Sequence, residues 1–186
     1  MSPDKVITQA MFRRMPWKNG KGETLELLTL EDERGVKFRI SQAAVVDSGT
    51  FSDFTGLERH LVLSHQGEPD DISHHDLLHL LDIATFNGAD LTTSELIDGP
   101  IEDLNVMVRM SDTQAKVTGI YAPYEVLSDT GDHCYFYANQ VSNVSIDQGL
   151  KDLIMPKDSF LRVSPEAHYS LRTGAGVLIE ISDKII

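Results

Sequence analysis

Residues 103–109 read Asp103-Leu-Asn-Val-Met-Val-Arg109 and alternate between apolar side chains and a more polar set. Successive side chains of an extended strand point to opposite faces of its sheet. The apolar face carries Leu104, Val106, Val108 and Met110. The opposite face carries Asp103, Asn105, Met107 and Arg109. A face with an amide, an arginine and a polarisable methionine suits a small-molecule site, and a solvated outer face is the alternative.

Four further segments have the β-branched and aromatic content of short strands: 37–46, 59–64, 133–137 and 176–181. Turn residues separate them, and Asn87-Gly88 in particular suits a two-residue hairpin. The one helix-like stretch, 74–82, fits a strand equally well. This pattern predicts a single compact all-β unit, either a sandwich or a barrel.

Composition narrows the classes of function. The chain has 186 residues, 41% of them hydrophobic, and a net charge of −13. Such an acidic surface repels nucleic-acid phosphates and anionic lipids. No apolar run approaches the ~18 residues of a membrane span, and the N-terminus lacks the apolar core of a signal peptide. We therefore predict a soluble cytoplasmic protein that binds neither nucleic acid nor membrane.

Metal and redox chemistry find little support in the sequence. The single cysteine, Cys134, excludes an intrachain disulfide and a cysteine-rich zinc site. His74, His75 and His79 cluster, but they converge on one ion only if the segment is helical, and a solvated accidental cluster is the alternative. The H-x-H motif of metal-dependent cupins is absent. We expect no metal and no cofactor.

Arginines are scarce in the middle of the chain. Arg59, Arg109 and Lys116 are the only basic residues between 41 and 150. If 59–63 is a strand, Arg59 begins an apolar face that it shares with Leu61 and Leu63. A buried guanidinium needs an anion, which is either a protein carboxylate or a ligand. Glu26 is the candidate partner within the protein.

The segment before the first long strand supplies further candidate binding groups. Trp17 offers a stacking surface, Lys18 a cation and Asn19 an amide. The alternatives are a core tryptophan and a simple turn. Phe54 either borders the site or caps a barrel.

Three segments, 16–26, 38–59 and 86–109, together resemble the HutD/Ves family. They contain Trp17-Lys-Asn-Gly-Lys-Gly-Glu-Thr-Leu-Glu26, Phe51-Ser-Asp-Phe-Thr-Gly-Leu-Glu-Arg59 and Asp103-Leu-Asn-Val-Met-Val-Arg109. The resemblance implies an all-β bicupin fold, two cupin-like halves in one unit, near 1–100 and 101–186. Members are associated with histidine utilisation and with a ligand such as formylglutamate, and the Ves branch with stress response. Lys21 replaces the middle glycine of the family's three-glycine run, which could alter the pocket mouth.

From these observations we expect a metal-independent binding protein for a small carboxylate metabolite, regulatory in histidine or amino-acid catabolism. Arg59 and Arg109 would bind carboxylates through paired hydrogen bonds. Asn19 and Asn105 would bind an amide or formyl group. The alternatives are a cupin-scaffold hydrolase or isomerase with Glu26 or a histidine as general base, and a protein–protein adaptor. A homodimer stays open.

Overall fold

Strands dominate the computed structural model, which describes residues 4–17, 22–65, 77, 79–96, 99–126, 132–164 and 167–185. Within these residues the helices are two 3-10 turns, Gln9–Met11 and Asp147–Gly149. The strands are β1 (Val6–Thr8), β2 (Arg13–Pro16), β3 (Glu23–Asp32), β4 (Gly35–Val45), β5 (Gly49–Thr50), β6 (Leu57–His65), β7 (Ile83–Asn87), β8 (Thr93–Ser94), β9 (Ile101–Arg109), β10 (Thr113–Tyr121), β11 (Tyr124–Val126), β12 (His133–Ala138), β13 (Ser142–Ile146), β14 (Lys151–Met155), β15 (Ser159–Val163), β16 (Tyr169–Thr173) and β17 (Ala175–Asp183). The expected all-β class is confirmed, and all five strands predicted from composition are present.

The chain divides into two compact units. One comprises Arg13–Thr113, and the other combines Met1–Phe12 with Gln114–Ile186. The halves expected from the sequence were 1–100 and 101–186. In the structure β9 stays with the strands that precede it, and β1 pairs with β15. Among the described residues, no helix combines the length and hydropathy of a membrane span.

The 13–113 unit is built on a six-stranded sheet with the strand order β2-β3-β4-β9-β6-β7. All of its pairings are antiparallel. A separate two-stranded ribbon pairs β5 with β8. Since β9 lies between β4 and β6, both of its edges are hydrogen-bonded, and its register fixes which side chains share each face of the sheet.

The two faces of β9 differ as the alternation predicts. Leu104, Val106 and Val108 are fully buried in the core of this unit. Asp103, Asn105 and Met107 are also buried, but they line a cavity on the opposite face. A strand that is polar at every second position is therefore covered on both sides.

The other unit is a sandwich of two antiparallel sheets. Its sheets have the orders β1-β15-β12-β17-β10 and β11-β16-β13-β14. Residues from both sheets form one apolar core, which includes Phe136, Leu161 and Leu178 from the first and Val144 and Leu171 from the second. Cys134 lies beside this core as a free thiol, and burial raises its pKa to about 12. It is a poor nucleophile at neutral pH.

Asn87-Gly88 does not form the predicted two-residue hairpin. β7 ends at Asn87, and its one partner strand is β6, whereas the next strand, β8, pairs with β5. Gly88 instead hydrogen-bonds the start of β6 and the segment before it: its N–H donates to Leu57 O, and its carbonyl accepts from Phe54 N. A Cβ at Gly88 would lie 2.4 Å from Phe54 O. This glycine allows a close backbone approach, which sequence alone does not reveal.

The ligand-binding role predicted for Arg109 is replaced by a structural one. Its guanidinium binds Asp32 at the end of β3, with Nη1 donating to Oδ1 at 2.8 Å. Its Nε donates to Asp112 Oδ1 at 2.9 Å in the turn after β9. Arg109 does not line the cavity. It joins two distant parts of the chain at the far end of β9, and both carboxylates have pKa values held well below their usual range by Arg109.

This arrangement predicts acid-sensitive stabilisation. A carboxylate whose pKa is lowered by folding stabilises the protein above its unfolded pKa of about 4, and loses that contribution as the pH falls towards the folded value. We expect Arg109→Met to lower the free energy of unfolding at pH 7. The difference in unfolding free energy between the variant and wild type should shrink between pH 4 and pH 2. Urea denaturation of both proteins at pH values from 7 to 2 measures this difference. Arg13→Met, which removes an exposed arginine, is the control; an equal loss in both variants would contradict a special role for Arg109.

Candidate functional site

A cavity of about 800 Å³ opens over the polar face of the six-stranded sheet in the 13–113 unit. Its floor consists of alternate residues of β4 and β9 together with Arg59 of β6. Its other walls are formed by residues 15–17 and by the segment 46–54. A volume of this size accommodates a small metabolite.

Arg59 is the most deeply buried cation of the cavity. Only 2% of its surface is exposed, and its register places it opposite Met107 on β9 and Phe86 on β7. Its guanidinium carbon lies 4.9 Å from the ring centre of Phe51, 5.2 Å from that of Phe54 and 5.1 Å from that of Phe86. Burial lowers the pKa of Arg59, and the charge of Asp103 opposes that shift.

The aromatic rings hold the cation but leave its hydrogen bonds unmade. A ring face attracts a guanidinium electrostatically, by roughly 0.5–2 kcal/mol. It does not replace the in-plane acceptors that five N–H donors require. Among the described residues, no carboxylate oxygen forms an ion pair with Arg59, and its buried Nε has no hydrogen-bond partner. An anion in the cavity would supply acceptors to the other N–H groups of the guanidinium.

Asp103 lies on the same floor, between Ala43 of β4 and Leu63 of β6 in register. It is 2% exposed, and its Oδ1 has no hydrogen-bond partner among the described residues. Burial raises the pKa of Asp103 to about 7, although the charge of Arg59 acts in the opposite direction. Burial therefore favours the neutral form of this carboxyl group more strongly than in an exposed aspartate.

Asn105 occupies the next floor position. It lies between Ser41 and Leu61 in register and is 8% exposed. Its Oδ1 is buried without a partner among the described residues. Ser41 and Asn105 both line the cavity, so a hydroxyl and an amide stand beside the charged pair. The ligand-binding role of Asn105 stays a prediction.

The sequence suggested Glu26 as the partner of Arg59, but the structure does not pair these two residues. The carboxylate of Glu26 lies 3.3 Å from Nε of Arg39 and 3.4 Å from Nη1 of Arg13. A β-bulge follows Glu26 in β3, and its side chain is not part of the cavity lining. The partner is therefore Arg39, which does line the cavity. Arg39 is not among the residues predicted from the sequence to bind a ligand, although Arg39 and Ser41 share one strand face by simple alternation.

Trp17 is one of the residues that line the cavity. Its indole N–H donates to Thr24 Oγ1 at 2.9 Å, and its backbone N–H donates to Gly22 O at 2.9 Å. A Cβ at Gly22 would lie 3.0 Å from the indole ring. This glycine lets the tryptophan lie flat over the chain. Lys18, Asn19 and Lys21 lie outside the described residues.

Phe54 is the next residue that the sequence singled out as a candidate. It lines the cavity and contacts the Arg59 guanidinium. Its backbone is bonded to Gly88, so the close approach at that glycine holds the ring over Arg59. Phe51, which the sequence analysis did not select as a ligand-binding residue, has the same role.

The lining does not fit a metal centre of the cupin type. Among the described residues that line the cavity there is no histidine, and no group of three or more His, Cys, Asp or Glu side chains converges anywhere in the described part of the chain. His60 points away from Arg59 and contacts Thr85 and Glu58. His79 is exposed beside Asp82. His74 and His75 lie outside the described residues.

Comparison with known proteins gives consistent relatives. The chain is 34% identical over 116 residues to Protein Ves of Escherichia fergusonii, a match that covers 57% of this chain and 60% of that protein. It thus spans less than two thirds of this relative. It is 28% identical over 153 residues to an uncharacterized 21.2 kDa protein in the hutC 3' region of Pseudomonas putida, covering 78% of this chain and 80% of that one.

Solved structures show the same fold. HutD from Pseudomonas fluorescens SBW25, in a formate condition, has a TM-score of 0.79 at 24% identity and covers 97% of this chain and 99% of its own. A cupin 2 conserved barrel domain protein from Leptotrichia buccalis has a TM-score of 0.53 at 9% identity and covers 99% and 98%. The expected cupin fold is confirmed. The HutD family model matches residues 9–179, and the chain belongs to the HutD family.

Proposed function

We propose that this protein binds a small carboxylate metabolite in the cavity of the 13–113 unit without a metal ion. Arg59 carries the proposal, because it is a guanidinium that is 2% exposed, held by three phenyl rings and not paired with a carboxylate among the described residues. An unpaired buried charge costs several kcal/mol. A bound carboxylate would offset that cost through charge-assisted hydrogen bonds.

Arg39 replaces Arg109 as the second cation of the proposed site. Arg39 and Arg59 occupy one cross-strand row, with Met107 between them on β9. Neighbouring strands are about 4.8 Å apart, so the two Cα atoms are separated by roughly 10 Å. A ligand with two acidic groups could reach both arginines. Arg39 is already paired with Glu26, and it would contribute less than Arg59.

The polar neighbours favour a ligand with an amide or formyl group. Asn105 and Ser41 lie on the row next to Arg59 and face the same cavity. A formylglutamate-like molecule would combine two carboxylates with an amide. The Pseudomonas putida relative is a protein of a hutC 3' region, which supports a link to histidine utilisation. Within that process we propose a regulatory role.

Asp103 gives a specific reason to keep the enzyme alternative. A buried carboxyl group with a pKa of about 7 inside a cavity has the properties of a general acid or base. Glu26, the base predicted from the sequence, is tied to two arginines and lies outside the cavity. Mass spectrometry of each ligand after incubation distinguishes the two functions: a binding protein returns it unchanged, and a hydrolase or isomerase does not.

The ligand-free protein should tolerate loss of Arg59. If Arg59 mainly served the fold, Arg59→Met would strand a charge and cost about 3–5 kcal/mol. We expect a smaller loss in urea denaturation at pH 7, because Asp103 can take up a proton once the arginine is gone. A loss above ~3 kcal/mol would show that Arg59 is a structural residue.

A carboxylate ligand should raise the melting temperature through Arg59. A ligand at one hundred times its dissociation constant adds ~2.7 kcal/mol, which corresponds to roughly 5–10 °C for a protein of this size. We suggest thermal shift with formylglutamate, glutamate, succinate, urocanate, histidine and formate. The shift should nearly vanish in Arg59→Ala, decrease in Arg39→Ala for dicarboxylates, and persist in the exposed control Arg13→Ala. Shifts below 1 °C for every carboxylate at millimolar concentration would contradict the proposal.

Binding should survive removal of metal ions. We expect protein purified without a histidine tag and treated with EDTA to keep its ligand-induced thermal shift, because arginines and amides supply the binding groups. Elemental analysis before and after treatment is the control. A full equivalent of iron, manganese or zinc, lost together with ligand binding, would overturn metal independence.

A further inference from the structure

Asp103 and Arg59 line the same cavity, and each side chain has a polar atom without a hydrogen-bond partner among the described residues. Both are 2% exposed and line the cavity, and they do not form an ion pair. Among the described residues, Asp103 Oδ1 and Arg59 Nε each lack a hydrogen-bond partner. Two side chains that are more than nine-tenths buried and incompletely bonded on one cavity floor indicate that a ligand touches both.

Among the charged residues that line the cavity, Arg59 is the cation that stabilises the ionised form of Asp103. From β4, Arg39 faces the cavity, but Glu26 of β3 is its partner. From the segment that covers the sheet, Asp47 adds a second acid. The described parts of the remaining lining contribute polar or apolar side chains without charge. Arg59 is therefore the cation whose charge acts on Asp103.

A ligand carboxylate bound to Arg59 would compete with Asp103 for that cation. Two carboxylates that share one buried site cannot both stay ionised, because like charges repel strongly where water is excluded. Burial has already raised the pKa of Asp103 to about 7, so protonation near neutral pH requires little additional free energy. A protonated carboxyl group can then donate a hydrogen bond to the ligand.

We propose that Asp103 is a further ligand-binding residue, an inference that rests on the proposed carboxylate binding. Asp103 takes up one proton from solvent when the ligand binds. Its carboxyl group then donates that proton in a hydrogen bond to the ligand carboxylate. The proton returns to solvent when the ligand leaves. The site thus binds the ligand anion and a proton together, and the affinity for the ligand rises as the pH falls.

The ligand-free protein offers a first test. A carboxyl group whose pKa is raised by folding binds more protons in the folded than in the unfolded state between pH 4 and pH 7, so its contribution to stability decreases across that range as the pH rises. Asp103→Asn should abolish this decrease in urea denaturation. Glu102→Gln is the matched control, because it removes the same charge from the neighbouring residue, which bonds Gln42 and does not line the cavity.

The decisive test is calorimetric titration of the wild-type protein with N-formyl-L-glutamate and with succinate between pH 6.5 and pH 8.5, in buffers of different ionisation enthalpy. We expect uptake of about 0.9 proton at pH 8 and a loss of affinity that approaches tenfold per pH unit above pH 7. Asp103→Asn, which keeps an N–H donor at this place, should bind with little dependence on pH and without proton uptake. Glu102→Gln should behave as wild type.

The outcomes separate this inference from the proposed function. Binding that is independent of pH and takes up no proton in wild type overturns the role of Asp103 and leaves carboxylate binding intact. Proton uptake that persists in Asp103→Asn assigns the proton to another group and also overturns it. If neither probe binds at any pH, the proposed function fails and this inference fails with it. The wild-type measurement stands even if Asp103→Asn does not fold.

Discussion

Strand β9 is hydrogen-bonded along both edges and covered on both faces, and the rest of the 13–113 unit depends on that constraint. Its neighbours β4 and β6 fix its register, so a shift by one residue would move Leu104 and Val106 into the cavity and Asp103 and Asn105 into the core. Burying those polar groups without partners would cost several kcal/mol. The same alternation that specifies the fold therefore also places the polar floor of the cavity.

Two arginines of this unit show how surroundings decide between structure and binding. Arg109 donates to two carboxylates, Asp32 and Asp112, so its donors are used within the protein. Arg59 is surrounded by phenyl rings, which fix its position without accepting its in-plane hydrogen bonds. Four of the five N–H groups of Arg109 are thus used within the protein. Arg59 is held in a defined orientation with its donors available, which is the preorganisation that a binding site needs.

Much of this organisation follows from local pattern, and the remainder depends on contacts between distant parts of the chain. Alternation predicts which side chains lie on each face of β9. The scarcity of basic residues between 41 and 150 marks Arg59 as a candidate binding residue. Alternation cannot show that Asp32, 77 residues away, reaches Arg109. Nor can it show the bulge after Glu26 in β3, beyond which the simple counting of faces fails. The role of Gly88 likewise depends on a backbone contact with Phe54 that no turn rule contains.

Under the proposed function, the cavity selects an anion inside a protein whose net charge is −13. At physiological ionic strength charges beyond about 8 Å are largely screened, provided that solvent separates them. The distant surface acids therefore affect the site weakly, whereas the charge of Asp103 acts directly on Arg59. Arg39 is balanced by Glu26, so the local charge depends on Arg59 and on the protonation of Asp103. An ionised Asp103 cancels the charge of Arg59, and a neutral Asp103 leaves a cation facing the cavity. Under the proposed function, the burial that raises the pKa of this carboxyl group favours the neutral form, in which the charge of Arg59 is left to attract an anion.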